Sequence, residues 1–330
     1  MHVVNESEPA ETRHANATPH FKDGRFSNPG VPDHTFGQLL QWIRNRKPGP
    51  WREWIPSTPG PQPPERVAGT ELRVTFINHA TLLIQTHGLN LLTDPVWSMR
   101  ASPVQWTGPK RHRDPGIRFE DLPPIDALLI SHNHYDHFDR PTLRRLGRDH
   151  RPVVFCPLGV ARSLRGLGFA EAHELDWWQS VPWQGVQMHC IQAQHFAART
   201  PFDRNRTLWC GWMMEASGGP VYFAGDTGFG GFFREIRERF GPLRLAMLPM
   251  GAYEPEWFMG TVHMTPEQAV EAWKIVEAKT AIPIHYGTFS LADDGETAPL
   301  ERLERALADR TDSQQFRALR EGEGQMIPEL

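Results

Sequence analysis

Four side chains that can bind metal ions lie close together in this sequence. His132, His134, Asp136 and His137 directly follow an apolar run that ends near Ser131. Imidazole nitrogens and carboxylate oxygens suit zinc and similar divalent ions, and the motif lacks the cysteines that are common in structural zinc sites. The residue types therefore predict a catalytic metal site, and the alternative is an exposed polar turn.

The spacing within this motif predicts two metal ions. Because His132 and His134 are two residues apart, they face the same way at the end of a strand. Asp136 and His137 lie in the following turn, where they can reach a second ion. Such a centre needs further ligands from other strand ends, although each candidate alone is more often a capping or surface residue. Three candidates follow apolar runs elsewhere in the chain: His195, Asp226 and His285.

The composition predicts a globular protein with a buried core. A chain of 330 residues can form one large domain or two smaller ones. The formal net charge is −4, and because acids and bases are mixed along the chain we expect no nucleic-acid partner. Three cysteines lie in apolar segments without the spacing of a zinc or redox motif, and we expect them to be reduced core residues: Cys156, Cys190 and Cys210.

The sequence predicts cytoplasmic residence. It has no run near the ~20 apolar residues that span a bilayer. Its N-terminus, MHVVNESE, lacks the charged-then-apolar order of a signal peptide. Peripheral contact with a membrane stays open.

The chain divides into three parts by composition. Residues 1–20 are polar and aperiodic, which predicts a disordered tail. Residues 21–66 form a strap rich in proline and tryptophan, with one helix expected at 35–46. Residues 67–330 are expected to form the catalytic domain. The strap carries apolar anchors that can dock it on that domain, cover the substrate mouth, or form a subunit or lipid contact, so a homodimer is one possibility: Trp42, Trp51 and Trp54.

The catalytic domain is predicted to be an α/β structure with two sheets. Short β-rich runs at 72–77, 81–86 and 89–93 predict consecutive hairpins at the start of a mostly antiparallel sheet. After residue 226, helices and strands alternate, and a capping-box pattern marks a helix start at Thr265. Two sheets that each need covering fit a four-layer αββα sandwich.

The order of these residues resembles the metallo-β-lactamase fold superfamily, from about Leu72 to the C-terminus. The resemblance implies the αββα sandwich and a binuclear centre of two divalent ions, Zn²⁺ or alternatively Mn²⁺ or Fe²⁺. It assigns the first ion to His132, His134 and His195. It assigns the second to Asp136, His137 and His285, with Asp226 bridging.

Shorter segments resemble bacterial relatives of N-acylphosphatidylethanolamine-hydrolysing phospholipase D. This resemblance implies a phosphodiesterase that acts on such a phospholipid, or on a related phosphodiester, by attack of metal-bound hydroxide. The catalytic residues would include Asp136, Asp226 and His263. The segments are 24–29 (GRFSNP), 78–84 (NHATLLI), 93–98 (TDPVWS), 134–139 (HYDHFD), 194–200 (QHFAART), 203–209 (DRNRTLW) and 263–269 (HMTPEQA).

Other side chains are candidates for supporting roles, each with an ordinary structural alternative. His263 stands just before a helix and can bind an anion or donate a proton to a leaving group. His79 is a candidate for a residue close to the site. Asp94 or Asp139 can orient a ligand histidine. Arginines that can bind phosphate are Arg199, Arg204 and Arg206. Aromatic residues that can line an acyl channel are Trp97, Trp106, Tyr253, Trp257 and Phe258.

Rival functions are weighed on the same residues. A lactonase is the main enzymatic alternative, because a metal-activated water attacks carbonyl and phosphorus centres alike. Ribonuclease Z would need an extended basic surface, and flavodiiron proteins carry a glutamate where His134 stands. A protein that only binds its ligand is disfavoured by the full set of candidate metal ligands.

Overall fold

The fold is described from a computed structural model for residues 18–330. The tail predicted for residues 1–20 therefore lies, up to residue 17, outside the described residues. His20 is only 8% exposed, and its Nε2 lies 2.9 Å from Asp176 Oδ1. The chain is thus already docked on the domain at residue 20, where the sequence predicts the end of a disordered tail.

Within the described residues, the strands form one short hairpin and two large sheets. Each large sheet is partly antiparallel and partly parallel. The strands are β1 Phe21–Lys22, β2 Arg25–Phe26, β3 Leu72–Asn78, β4 Thr81–Thr86, β5 Leu89–Thr93, β6 Ala127–Leu129, β7 Val153–Pro157, β8 Ala172–Leu175, β9 Ser180–Trp183, β10 Val186–Ile191, β11 Gly211–Glu215, β12 Val221–Phe223, β13 Leu245–Pro249, β14 Thr280–Ile284 and β15 Gly324–Ile327.

The first large sheet has the order β15-β3-β4-β5-β6-β7-β8, and the second has the order β14-β13-β12-β11-β10-β9. The predicted hairpins β3–β4–β5 are confirmed, with β15 added antiparallel to β3. From β5 to β8 the pairing is parallel, so only half of this sheet is antiparallel. In the second sheet, β12, β13 and β14 are parallel neighbours.

Helices cover the outer faces of both sheets. The helix within the strap and the helix after Thr265 both begin with capping boxes. In each, a threonine at the N-cap and a glutamine three residues later favour this arrangement. The helices are α1 Phe36–Asn45, α2 Arg140–Asp149, α3 Ala161–Leu164, α4 Phe232–Phe240, α5 Glu256–Met259, α6 Pro266–Ile275 and α7 Ala298–Leu307, with short 3₁₀ turns at Phe119–Asp121 and Ser313–Gln315.

The core lies in two layers because side chains alternate across each strand. Leu82 belongs to the cluster between the two sheets, whereas Leu83 packs outward against Leu143 and Leu146 of α2. Each leucine buried in this way contributes about 1.5–3 kcal/mol. The two sheets face each other with helices outside, which confirms the predicted four-layer α/β sandwich.

The strap docks along one side of the domain. Leu39 and Trp42 of α1 pack against Phe258 and Met259. Arg46 Nε donates to Asp293 Oδ1 at 2.8 Å, and further along the Trp51 indole donates to a backbone carbonyl at 2.9 Å. The opposite face of α1 is left uncovered within the described structure, with Phe36, Leu40 and Ile43 exposed by 73%, 43% and 52%.

The three cysteines are free thiols buried in the core, as predicted. No helix among residues 18–330 is both long enough and apolar enough to cross a bilayer.

Candidate metal centre

The candidate ligands meet at one edge of the sandwich. β6, β10, β12 and β14 all end at this edge, since β10 and β12 run in the same direction with β11 antiparallel between them. A candidate ligand follows each strand end within four residues: His132 after β6, His195 after β10, Asp226 after β12 and His285 after β14. The side chains that converge here are His79, Asp94, His132, His134, Asp136, His137, His195, Asp226, His263 and His285.

Three imidazoles form the first group. His132 Nε2 lies 2.8 Å from His134 Nδ1, and His195 Nε2 lies 3.3 Å from the same His134 atom. Nitrogens bound tetrahedrally at zinc distances of about 2.0–2.1 Å stand about 3.3 Å apart. The three ring nitrogens are therefore close enough together to bind one metal ion.

A carboxylate and two imidazoles form the second group. His137 Nε2 and His285 Nε2 lie 3.2 Å and 3.4 Å from Asp136 Oδ2. His79 Nε2 also contacts this carboxylate oxygen, at 2.9 Å. Because its ring touches Asp136 rather than standing apart from the cluster, His79 can orient the carboxylate.

Asp226 stands between the two groups. Its Oδ2 lies 3.0 Å from His285 Nε2 and 3.2 Å from His137 Nε2, both of the second group. The same oxygen lies 3.8 Å from His195 Nε2 of the first group. A single carboxylate is therefore within reach of ions bound by either group.

Hydrogen bonds to the far side of several rings hold them in place. His137 Nδ1 lies 2.7 Å from Asp94 Oδ2, and His195 Nδ1 lies 3.0 Å from the carbonyl oxygen of Val262. His132 Nδ1 lies 2.8 Å from Ser131 Oγ. Each contact fixes the ring rotation and leaves Nε2 directed into the cluster.

The backbone around the cluster is conformationally unusual. His79, Asp94 and His285 have φ of 50°, 29° and 63°, in a region that non-glycine residues seldom adopt. Gly225 precedes Asp226 with φ 61°, and a Cβ at this position would lie 2.6 Å from Ser131 Cβ. Such strained positions concentrate at functional sites, where the surrounding structure enforces them.

The pKa values of the rings differ with their distance from the carboxylates. Burial lowers the pKa of His132 and His195 well below the ordinary value, and that of His134 to about 4. Burial also opposes charge on His137 and His285, but Asp226 and neighbouring carboxylates outweigh it. The pKa of His285 rises to about 9 and that of His137 rises well above its ordinary value, so a metal ion would compete with protons at these rings.

Buried polar atoms of the cluster lack hydrogen bonds within residues 18–330. Among them are His137 Nε2, His285 Nε2 and Asp226 Oδ1. A buried polar atom without a partner is costly, and here the two Nε2 atoms face the carboxylates of Asp136 and Asp226. The donor set and its unsatisfied atoms therefore fit divalent metal ions.

His263 lies directly beside the cluster. It is 8% exposed, its ring centroid lies 5.0 Å from that of His195, and it stacks on His285 at 5.2 Å. Burial lowers the pKa of His263 to about 3, so its ring is neutral at pH 7. Its Nδ1 has no hydrogen-bond partner in the described part of the chain.

The three candidate arginines have different surroundings. Arg199 donates from Nη1 to the carbonyl oxygens of Asn133 and Phe138, at 2.7 Å and 2.9 Å, and so braces the turn that carries the histidine motif. Arg204 lies 4.3 Å above the ring of Phe196, which in turn packs edge-on against His134. Arg206 is exposed.

The hypothesis that Asp139 orients a ligand histidine is wrong. Its carboxylate accepts from the backbone N–H groups of Trp97 and Ser98 and from the hydroxyls of Ser98 and Thr142. Asp139 therefore anchors the loop that starts at residue 95. The other candidate, Asp94, does contact a histidine of the cluster, as described above.

The candidate aromatic residues separate into buried and exposed sets. Trp97 packs edge-on against Phe119 in the outer core, and Tyr253 is buried beneath Arg302. Trp106 and Trp257 are exposed by 80% and 48%. Phe258 is buried and stacks on Trp42 at 5.1 Å and on His34 at 4.3 Å.

One residue at the site was not singled out from the sequence. Asn28 of the strap hydrogen-bonds to the backbone of His195 through its side-chain amide. It lies in the GRFSNP segment, so the resemblance contained a signal for it. Its role was not predictable, because the two residues are 167 positions apart.

Comparisons with known proteins identify a family and several named relatives. The family model described as "Beta-lactamase superfamily domain" matches residues 89–286. The N-acyl-phosphatidylethanolamine-hydrolyzing phospholipase D 1 of Caenorhabditis elegans is 37% identical over 253 residues, which are 73% of this chain and 71% of the relative. The Saccharomyces cerevisiae protein named as the mitochondrial N-acyl-phosphatidylethanolamine-hydrolyzing phospholipase D is 33% identical over 66% of this chain and 48% of its own length.

A solved structure shows the same fold. Igni18, a metallo hydrolase from the archaeon Ignicoccus hospitalis, matches with a TM-score of 0.59 at 22% identity, over 78% of this chain and 99% of Igni18. Together with relatives that are named as hydrolases, the fold and the histidine–aspartate cluster define the class as metal-dependent hydrolases of the metallo-β-lactamase fold.

The chain belongs to the beta-lactamase superfamily, since the family model spans more than half of it. The resemblance to N-acylphosphatidylethanolamine-hydrolysing phospholipase D expected from the sequence is confirmed by the relatives that bear this name.

Proposed function

We propose that the chain is a binuclear phosphodiesterase acting on an N-acylphosphatidylethanolamine-like phospholipid or a related phosphodiester. The observation that carries this proposal is the Asp226 carboxylate, which lies within 3.8 Å of nitrogens from both ligand groups. His132, His134 and His195 would hold the first ion. Asp136, His137 and His285 would hold the second, and Asp226 could contribute to both; the proposed metal is zinc, and manganese or iron(II) are the alternatives.

Each residue of the site has a separate role in hydrolysis. When bound, the ions supply an activated water as nucleophile and positive charge at the phosphoryl oxygens. Asp226 holds the two ligand groups in register. Asp94 accepts a hydrogen bond from His137 Nδ1 at 2.7 Å and so keeps Nε2 available for metal binding. His263, neutral and buried beside the cluster, donates a hydrogen bond at the phosphoryl or leaving oxygen.

Arg204 is the arginine best situated to bind the substrate phosphate. It stacks on Phe196 beside His134. Burial is the main cause of the lowered pKa of His134, and the positive charge of Arg204 lowers it further. Its partner Asp33 lies at 3.3 Å on the exposed strap, so the guanidinium can exchange this contact for a phosphate.

Exposed apolar side chains support a lipid substrate. Among residues 18–330, eight of the ten exposed large apolar side chains lie on the strap, on the loop after Asp94, on the loop after His195, or on α5 just before His263. We propose that these side chains form a rim that contacts a phospholipid surface. A rim of this kind has no evident use for a small lactone. Its members are Phe36, Leu40, Ile43, Trp54, Met99, Trp106, Phe202 and Trp257.

A hydrolysis panel tests the activity. The metal-loaded protein is assayed with a bis-aryl phosphodiester, an N-acylated phospholipid, an acyl lactone and a β-lactam, beside the Asp226→Asn variant. We expect turnover of the phosphodiester and the phospholipid, lost in the variant, and close to two ions per chain by metal analysis. Turnover of the lactone alone would contradict the proposed substrate class, and one ion or none would contradict the binuclear centre.

The rim is tested with matched charge insertions. Ile43→Glu alters α1, whereas Met326→Glu alters edge strand β15, and the two side chains have similar exposure, 52% and 51%. We expect Ile43→Glu alone to reduce co-sedimentation with phospholipid vesicles and turnover of vesicle substrate, with turnover of the soluble phosphodiester unchanged. Equal vesicle binding by both variants, or a change from dimer to monomer in Ile43→Glu alone, would contradict a lipid-facing rim.

A further inference from the structure

The strap reaches the metal cluster through one side-chain amide. Asn28 Nδ2 donates to the carbonyl oxygen of His195 at 2.7 Å. In return, the backbone N–H of His195 donates to Asn28 Oδ1 at 3.2 Å. The two bonds imitate the pairing of one strand with another, although Asn28 supplies them from its side chain.

His195 has no neighbouring strand to supply these bonds. β10 ends at Ile191, and residue 195 lies beyond it in irregular backbone. The ring of His195 is held separately, by the 3.0 Å contact between Nδ1 and the carbonyl oxygen of Val262. Asn28 thus fixes the backbone of His195, and Val262 fixes its ring rotation, so together they aim Nε2 at His132 and His134.

Only an amide satisfies the site of Asn28. The buried indole of Trp209 donates from Nε1 to Asn28 Oδ1 at 3.1 Å, which sets the oxygen on the side of the two N–H donors. The nitrogen is then left facing the carbonyl oxygen of His195. An aspartate would turn a second oxygen toward that carbonyl, and an alanine would leave all three groups without this partner.

The strap is anchored on both sides of Asn28. Phe26 is 1% exposed within the main core, and its backbone N–H donates to the carbonyl oxygen of Asn205 at 2.7 Å. On the other side, His34 stacks on Phe258, and its Nε2 lies 2.8 Å from Thr261 Oγ1. Asn28 is therefore carried by a fixed segment and transmits its position to His195.

We propose that Asn28 is a positioning residue of the metal centre and that the strap thereby sets the affinity of one of the two ions. This inference rests on the proposed function, since it assigns the first ion to His132, His134 and His195. Asn28 does not touch the ion. Partners that orient a metal ligand typically change metal affinity about 10- to 100-fold when they are removed.

The test measures metal release from each site in the full chain. Asn28→Asp and Asn28→Ala are compared with the wild type and with Ser27→Ala, whose exposed hydroxyl contacts the carbonyl oxygen of His20. Zinc is titrated out with a chromogenic chelator, and cobalt-loaded samples report the coordination of each site by their visible spectra. Circular dichroism and thermal unfolding check the fold, and Asn28→Asp decides the case if Asn28→Ala does not fold.

We expect one ion to be bound about 10- to 100-fold more weakly in both Asn28 variants. The second ion and the Ser27→Ala control keep wild-type affinity. Unchanged affinity in the Asn28 variants, equal weakening of both ions, or equal weakening in Ser27→Ala would each overturn the inference. A wild-type protein that binds no metal would instead refute the proposed function itself, so the two failures are distinguishable.

Discussion

The buried hydrogen bonds of Asp94 allow a quantitative test of how the cluster is held. Asp94 accepts from His137 Nδ1 at 2.7 Å and from Ser131 N at 2.7 Å, and it also accepts from the Ser131 hydroxyl. Asp94→Asn keeps the volume but leaves only one side-chain oxygen. Whichever way the amide turns, a buried donor faces an NH₂ group and loses its acceptor.

The expected effect has two parts. An unpaired buried donor costs about 1–3 kcal/mol of unfolding free energy. Loss of the bond to His137 occurs when the NH₂ group turns toward this ring, and it occurs in either case in Asp94→Ala. The freed ring should weaken metal binding by about 10- to 100-fold. Denaturant unfolding of the metal-free protein measures the first part, and chelator competition with the loaded protein measures the second.

Asp139→Asn is the matched control. Asp139 is buried like Asp94, at 5% exposure, and accepts several hydrogen bonds, but these come from Trp97, Ser98 and Thr142. The control should therefore lose stability by a similar amount without losing metal affinity. If Asp94→Asn and Asp139→Asn weaken metal binding equally, or if Asp94→Ala leaves it unchanged, the orienting role of Asp94 is refuted.

Three further changes test the geometry. Asp226→Asn should weaken both ions, because its carboxylate oxygen lies 3.0 Å from His285 Nε2 and 3.8 Å from His195 Nε2; metal analysis showing one ion unaffected would contradict bridging. His79→Asn tolerates the left-handed φ of 50° but does not reach Asp136, so chelator competition should show the second ion alone weakened by about 10- to 100-fold. Gly225→Ala puts a Cβ 2.6 Å from Ser131 Cβ at φ 61°, and denaturant unfolding should show a loss of at least about 1–3 kcal/mol.

Much of the fold could be predicted because the local signals agree with the final structure. The hairpins β3–β4–β5 follow from β-rich runs separated by short turns, and α6 follows from the capping box at Thr265. The sequence does not predict strands such as β8, β9 and β15. They are short and only partly buried, so their sequences lack a continuous apolar run. The local sequence pattern does not predict a strand that forms only because it pairs with a distant part of the chain.

The site divides in the same way. His132, His134, Asp136 and His137 are consecutive enough to be read as one motif, and strand-end positions pointed to His195, Asp226 and His285. Contacts that depend on long-range docking were not readable: Asn28 meets His195 across 167 positions. The helix predicted at 35–46 carries four apolar residues at helical spacing, Phe36, Leu39, Leu40 and Ile43. This pattern does not tell which face docks, and three of the four residues are exposed.

The exposed face of α1 and the amide of Asn28 make the strap part of the functional site in two physical ways. Asn28 connects it to the candidate ligand His195, and α1, which carries part of the proposed rim, connects it to Phe258 through Trp42. Phe258 stacks on His34, which contacts Thr261 two residues before His263. The strap therefore contacts the segments that carry His195 and His263, whereas a strap that merely covered the domain would touch neither segment.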